Sequence, residues 1–209
     1  MKFIDVTLTY QPGMRGVEFE PAKIFSKDGW NAKTLHLYSH AGTHMDAPVH
    51  FEVNDKSIDQ VDPARFFVSC YVVDLTGIQP NTEITVSDLG EVGNQIQKEE
   101  GLIFRTGWSR FVNEPVYRDG LPGISRELAE WCIKKGISLI GVEPPSIADV
   151  NNLEKLTEIH RILLGGDVLI VEGLTNLEKI TKQKVQLVAL PLKIKDGDGA
   201  PCRVIVIEE

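Results

Sequence analysis

Four of the five histidines in this 209-residue chain, His36, His40, His44 and His50, fall within fifteen positions, and Asp46 lies among them. The stretch reads His40-Ala-Gly-Thr-His44-Met-Asp46-Ala-Pro-Val-His50-Phe51. Imidazole nitrogens and a carboxylate oxygen form a hard-to-borderline ligand set that suits Zn2+ and also accommodates Mn2+ or Fe2+. His40, His44 and Asp46 would supply three protein ligands and leave a position open for water, as catalytic rather than structural zinc requires. An ion held in that way lowers the pKa of bound water and polarises a carbonyl oxygen. His50, set off by Pro48, could carry protons as a general acid or base instead of ligating. A single histidine would read as a hydrogen-bonded surface group. Four of them with a carboxylate point to a site, because buried imidazoles need partners. His36, on a strand ahead of the cluster, is structural rather than pocket-lining.

These side chains act together only if the backbone aims them at one place. His40, His44 and Asp46 share parity, so an extended segment sends them to one face. The His-x-x-x-His spacing also suits one face of a helix. Gly42, Thr43 and Pro48 work against a regular helix, and the stretch is expected to be extended before opening into a loop. The fifth histidine, His160, lies near the end of a helix expected from Asn151 or Asn152 to about Leu164. Glu172 ends a strand expected over residues 168–171. Gly165 and Gly166 stop the helix and permit a reversal, which could bring His160 to Glu172 as a second metal position with Asp46 bridging. Taken alone, that pair is more often solvated than functional.

The other elements follow from hydropathy patterning. Strands are expected over residues 3–9, 33–39, 66–75, 102–106, 137–142, 185–194 and 203–207, with a hairpin loop at residues 196–199. Residues 82–98 have apolar spacings that give one helical face, and Ser125 can cap a helix reaching Lys135. Residues 18–33 have little periodicity and read as a long loop or short irregular strands. Their aromatics, Phe25 and Trp30 among them, could wall a pocket or simply tack the loop onto the core. The order is strand-rich, then alternating, then strand-rich. It implies a single α/β or α+β domain with a mixed sheet.

Composition removes several classes of partner. Apolar residues are 42% and charged residues 25%, ordinary for a globular protein. A net charge of −8 without a basic run argues against nucleic acid and anionic membrane as partners and mainly favours solubility. Cys70, Cys132 and Cys202 are too few and too scattered for a disulfide framework or a thiolate zinc site. With no signal-peptide core and no apolar span of membrane length, the cytoplasm is the default compartment. A Gly-x-Ser-x-Gly elbow, a Rossmann fingerprint and a P-loop are all absent from the sequence, which disfavours a serine nucleophile and a nucleotide cofactor.

The run His40-x-Gly42-Thr43-His44-x-Asp46-x-Pro48-x-His50-Phe51 resembles the signature of the metal-dependent cyclase family, which includes bacterial kynurenine formamidases and isatin hydrolases. Arg105-Thr106-Gly107-Trp108, His160-Arg161-Ile162-Leu163-Leu164, the block from Ile170 to Leu177, and Asp198-Gly199-Ala200-Pro201-Cys202-Arg203-Val204 extend the resemblance over most of the chain. It implies a swivelling β/β/α-type fold, a homodimer or larger assembly, and one or two zinc ions, with manganese as an alternative. By resemblance, His40, His44 and Asp46 hold the first ion, Asp46, His160 and Glu172 the second, and His50 is the catalytic acid/base. The implied activity is hydrolysis of a small amide, formamide, lactam or lactone by metal-activated water. A cyclase or dehydratase, or a non-catalytic metal-binding module, are the competing functions. Gly141-Val142-Glu143-Pro144-Pro145 departs from the family's Gly-Val-Asp pattern, which marks Glu143 and, with the strand-end Trp108, Phe25 and Trp30, the surroundings expected to select the substrate.

Overall fold

The computed structural model describes residues 1–209. Its strands are β1 (Lys2–Asp5), β2 (Val17–Lys23), β3 (Ala32–Leu37), β4 (His44–Asp46), β5 (Phe67–Asp74), β6 (Glu83–Ile84), β7 (Gly101–Arg105), β8 (Gly123–Ile124), β9 (Leu139–Val142), β10 (Leu169–Glu172), β11 (Lys184–Pro191) and β12 (Gly199–Glu208). Eight of them form one mixed sheet in the order β1-β12-β11-β5-β7-β9-β10-β4. Strands β5, β7, β9 and β10 run parallel to one another, and the other pairings are antiparallel. Short β4 pairs with β10 and also with the first residues of β12, so the sheet curls into a barrel-like closure.

Alternation along the central strands divides the core between the two faces of this sheet. Val68, Cys70 and Val72 of β5 join Met45, Ile103, Leu139, Val171, Leu187 and Val204 on one face. Tyr71 and Val73 join Leu102, Phe104, Ile140 and Ile170 on the other, under helix residues Leu128, Ile159 and Leu163. Each such aliphatic side chain contributes about 1.5–3 kcal/mol on full burial. The helix Arg126–Lys135 starts where Ser125 Oγ accepts the Leu128 amide at 3.1 Å, and ends at Gly136 in the left-handed region. The helix Leu153–Gly165 is capped by Asn152, whose side chain accepts from the Lys155 amide.

Two expectations are corrected and a third is narrowed. Residues 82–98 do not form one helix: β6 is followed by a 3-10 turn, Val86–Leu89, and a single helical turn, Val92–Gln95. Gly90 sits between the last two with φ 52° and ψ −132°, a conformation essentially reserved for glycine. Ile84, Leu89, Val92 and Ile96 are all buried, so the apolar spacing reported burial and not helical period. Of the two readings of residues 18–33, a long loop or short irregular strands, the structure has the strands: β2 and β3 pair, with a register shift between Pro21 and Lys23, as a hairpin that joins neither of the other sheets and leaves Ile24, Phe25, Trp30 and Leu35 exposed. The strand begun at Lys2 also ends early, at Asp5, after which Thr7 makes only an isolated bridge to Leu174.

Candidate metal centre

The histidine stretch changes conformation three times, and each change aims a side chain. Ser39 and His40 occupy a turn closed by the Ala41 amide on Tyr38 O. Gly42 then takes φ 57° and packs against the Tyr10 ring. Tyr10 Oη lies 2.8 Å from both Ala41 O and Thr43 O, and Thr43 Oγ1 donates to Gly173 O at 2.6 Å while accepting the Leu8 amide. Only His44–Asp46 is extended, as β4, with Met45 turned into the core and its two neighbours to the opposite face. Ala47 and Pro48 start a 3-10 turn, Pro48–Phe51, which returns His50 to the cluster.

The structure brings all six expected residues together around Asp46. Glu172, at the end of β10, is directly cross-strand from His44. His160 reaches over from the helix Leu153–Gly165. Its Nε2 lies 3.4 Å from Glu172 Oε1 and 3.6 Å from Asp46 Oδ2. His44 Nε2 lies 3.2 Å from Glu172 Oε2 and 3.6 Å from Asp46 Oδ1. His40 Nδ1 lies 2.9 Å from Asp46 Oδ1. The groups of donor atoms that converge within 4.8 Å are His40, Asp46 and His50, and His44, Asp46 and Glu172. Asp46 belongs to both.

The donor chemistry fits a cation. His44 Nδ1 is 3.0 Å from Gly42 O, and His160 Nδ1 is 2.7 Å from Leu156 O. A carbonyl only accepts, so both Nδ1 atoms carry the hydrogen and both Nε2 atoms turn toward the carboxylates. Asp46 and Glu172 are buried, and Asp46 Oδ2 has no hydrogen-bond partner. Lone pairs thus meet lone pairs out of water, which is tolerated only if positive charge sits between them. Without an ion, protons must supply it. Burial opposes charge on His40, yet Asp46 and then Asp198 outweigh it and raise its pKa to about 9. His44 and His160 are raised against their burial by Glu172 first and Asp46 second. Burial would raise both acids, but the imidazoles hold Asp46 and Glu172 below the ordinary carboxylate range.

His50 differs from these. Burial, the largest influence, lowers its pKa, which favours the neutral ring. Its ring stacks on His40 with centroids 3.9 Å apart and meets Phe51 edge-on, and it is the most open of the clustered histidines, with a side chain 25% exposed. A neutral imidazole at the mouth of a charged cluster can take a proton. Asp198, which the sequence presents as one of several turn-forming acids, reaches this mouth: its Oδ2 is 3.1 Å from His40 Nε2 and 3.7 Å from His50 Nδ1.

The residues expected to line a substrate pocket do not gather here. Trp108 is fully buried against Tyr117 and Leu121, and its indole N–H donates to Tyr117 O. Glu143 is buried too. Its carboxylate accepts from the amides of Thr106, Gly107 and Trp108 and from the hydroxyls of Thr106 and Ser109, which leaves it fastening β9 to the turn Trp108–Phe111. Phe25 and Trp30 stand in solvent near the tip of the β2–β3 hairpin. His36 lies on that hairpin as well, 3.7 Å from Glu20 and exposed.

The sequence and the fold have counterparts. Residues 4–149 match the family model described as Putative cyclase. The chain is 32% identical over 211 residues to a protein named kynurenine formamidase from Erythrobacter litoralis (strain HTCC2594), covering 98% of this chain and 93% of that one. It is 31% identical over 182 residues to the kynurenine formamidase of Bacillus cereus (strain ATCC 10987 / NRS 248), covering 84% and 79% of the two chains. The structure of isatin hydrolase A from Ralstonia solanacearum superposes with a TM-score of 0.89 at 24% identity, over 100% of this chain and 92% of that one. An isatin hydrolase bound to the product analogue thioisatinate superposes with a TM-score of 0.90 at 22% identity, over 100% and 93%. The chain belongs to the cyclase family.

Proposed function

We propose that this protein is a metal-dependent hydrolase of a small amide, formamide, lactam or lactone, of the kynurenine formamidase kind. One observation carries the proposal: two histidine Nε2 atoms, their tautomers fixed by backbone carbonyls, face two buried carboxylates, and one carboxylate oxygen has no hydrogen-bond partner. The names of the curated relatives support the substrate class. His40, His44 and Asp46 would hold a first ion, and Asp46, His160 and Glu172 a second. Zinc is the expected metal, with manganese as the alternative. Such an ion supplies Lewis acidity, activating water and polarising the scissile carbonyl. His50 takes the proton from the attacking water and returns one to the leaving amine or alkoxide. Tyr10, Thr43 and Gly173 hold the loop that carries His40 and His44 in place. The enzyme is expected to act as a cytoplasmic homodimer, and the burial of all three cysteines as free thiols is consistent with a reducing compartment.

The test is elemental analysis of the purified protein together with hydrolysis assays on N-formylkynurenine, isatin and simple lactones. Bound zinc or manganese with turnover of one of these is the expected result. Protein that takes up no metal sinks the proposal. The description of the family as cyclases favours one second reading, in which the centre enolises or cyclises a carbonyl compound. Oxygen from labelled water appears in the product of a hydrolase and not in that of a cyclase.

A further inference from the structure

The three most enclosed histidines do not face the centre in the same way. His44 and His160 offer Nε2 and anchor Nδ1 on the backbone carbonyls of Gly42 and Leu156. His40 is reversed: Nδ1 faces Asp46, and the outward nitrogen is Nε2. Asp198 Oδ2 lies 3.1 Å from that nitrogen, in the place the backbone carbonyls take for the other two rings. A carboxylate accepting from one ring nitrogen fixes the proton there and leaves the other nitrogen's lone pair for a metal.

Asp198 is itself held for this task. Its carbonyl accepts the Ala47 amide at 2.9 Å, one residue past Asp46. The turn before it is pinned by the Ile58 amide on Gly197 O and by the Asp196 amide on Asp59. The next residue, Gly199, lies across β4 from Asp46, and a Cβ there would come within 2.7 Å of His40 Cε1 and 2.8 Å of Met45 O. The His40 ring is therefore seated on Gly199 and gripped by Asp198. The same carboxylate oxygen is 3.7 Å from Nδ1 of His50, whose ring stacks on that of His40.

We infer that Asp198 is a positioning residue of this centre: it holds His40 as the tautomer whose Nδ1 can ligate a metal, and it orients the stacked His50 so that Nδ1 faces Asp198 and Nε2 faces the reacting groups. The inference rests on the proposed metal site. It concerns a residue that neither ligates nor reacts.

The experiment measures zinc affinity by competition with a chromophoric chelator for the wild type, Asp198→Ala and Asp198→Asn. The alanine variant is expected to bind zinc about 10–100-fold more weakly. Asparagine keeps an acceptor oxygen for His40 Nε2–H and is expected to recover most of that loss. At saturating zinc, kcat on N-formylkynurenine should fall in the alanine variant while KM changes less than about twofold, the pattern of a lost transition-state interaction. Asp198 is half-exposed, so both variants should fold, and thermal unfolding of the metal-free proteins checks that they do. Wild-type zinc affinity in the alanine variant overturns the inference, and an asparagine variant no better than alanine overturns the acceptor role. An unchanged kcat at saturating zinc removes His50 from it. A wild type that binds no zinc fails earlier, at the proposed function, so the two failures are distinguishable.

Discussion

Six ionisable side chains divide the work of this centre by their surroundings. His44 and His160 are buried, have their tautomers set by carbonyls and face carboxylates, which suits them to ligation. His50 is more open, is held neutral by partial burial and has no carbonyl anchor comparable to theirs, which suits it to proton transfer. The two kinds of substitution should therefore separate. His44→Ala removes one of the proposed ligands and is expected to abolish metal retention through dialysis, with activity lost as a consequence. His50→Ala is expected to keep its metal content while kcat falls about 10²–10⁴-fold. Metal analysis and steady-state kinetics on the same preparations check both. A His50→Ala enzyme with full activity would remove that residue from the mechanism.

Among the elements, the sequence was most informative where local chemistry decides the structure. Asn152 and Ser125 capped the helices expected of them, and the Gly165-Gly166 stop gave the reversal that brings His160 to Glu172. The parity of His44 and Asp46 was legible because β4 is extended, but His40 reaches the same point from a turn, which parity does not describe. Asp198 was hidden because Asp-Gly repeats are also what a hairpin turn requires. Its role depends on β12 pairing with β4 across more than 150 residues of chain. Glu143 was visible as an unusual residue but not as a structural one, because its partners at residues 106–109 lie in the segment that follows the neighbouring parallel strand β7. Glu143→Ala tests that assignment. Three backbone amides would lose a charged acceptor out of water, which should cost about 3 kcal/mol or more. Chemical denaturation should show the loss, while zinc stoichiometry in the folded fraction stays unchanged. A stable Glu143→Ala variant with altered substrate preference would instead return Glu143 to the pocket.

At the scale of the whole molecule, the barrel-like closure is where folding and metal binding become one equilibrium. β4 is only three residues long, yet it supplies His44 and Asp46 of the proposed metal site and pairs with both β10 and β12. Without an ion, the clustered carboxylates are balanced by protons on the imidazoles. His40 has a folded pKa of about 9 against an unfolded value near 6.5. Its contribution to stability is therefore fully present below about pH 6.5 and is lost as pH rises through about 9. Asp46 and Glu172 are shifted downward, so their contribution is present above the ordinary carboxylate range and is lost as pH falls below it. Metal-free protein should thus be most stable between these limits, in mildly acidic solution. An ion replaces the imidazole protons, so metal affinity rises with pH over the same interval in which the metal-free form weakens. Binding to the folded state alone adds about 4 kcal/mol at a free concentration a thousand times Kd. The gap in unfolding temperature between zinc-saturated and chelator-stripped protein should accordingly be small near pH 6 and widen toward about pH 9. Thermal unfolding across that range with and without zinc measures it directly. A gap that is constant with pH would mean that the ion does not displace these protons, and therefore does not bind at this cluster.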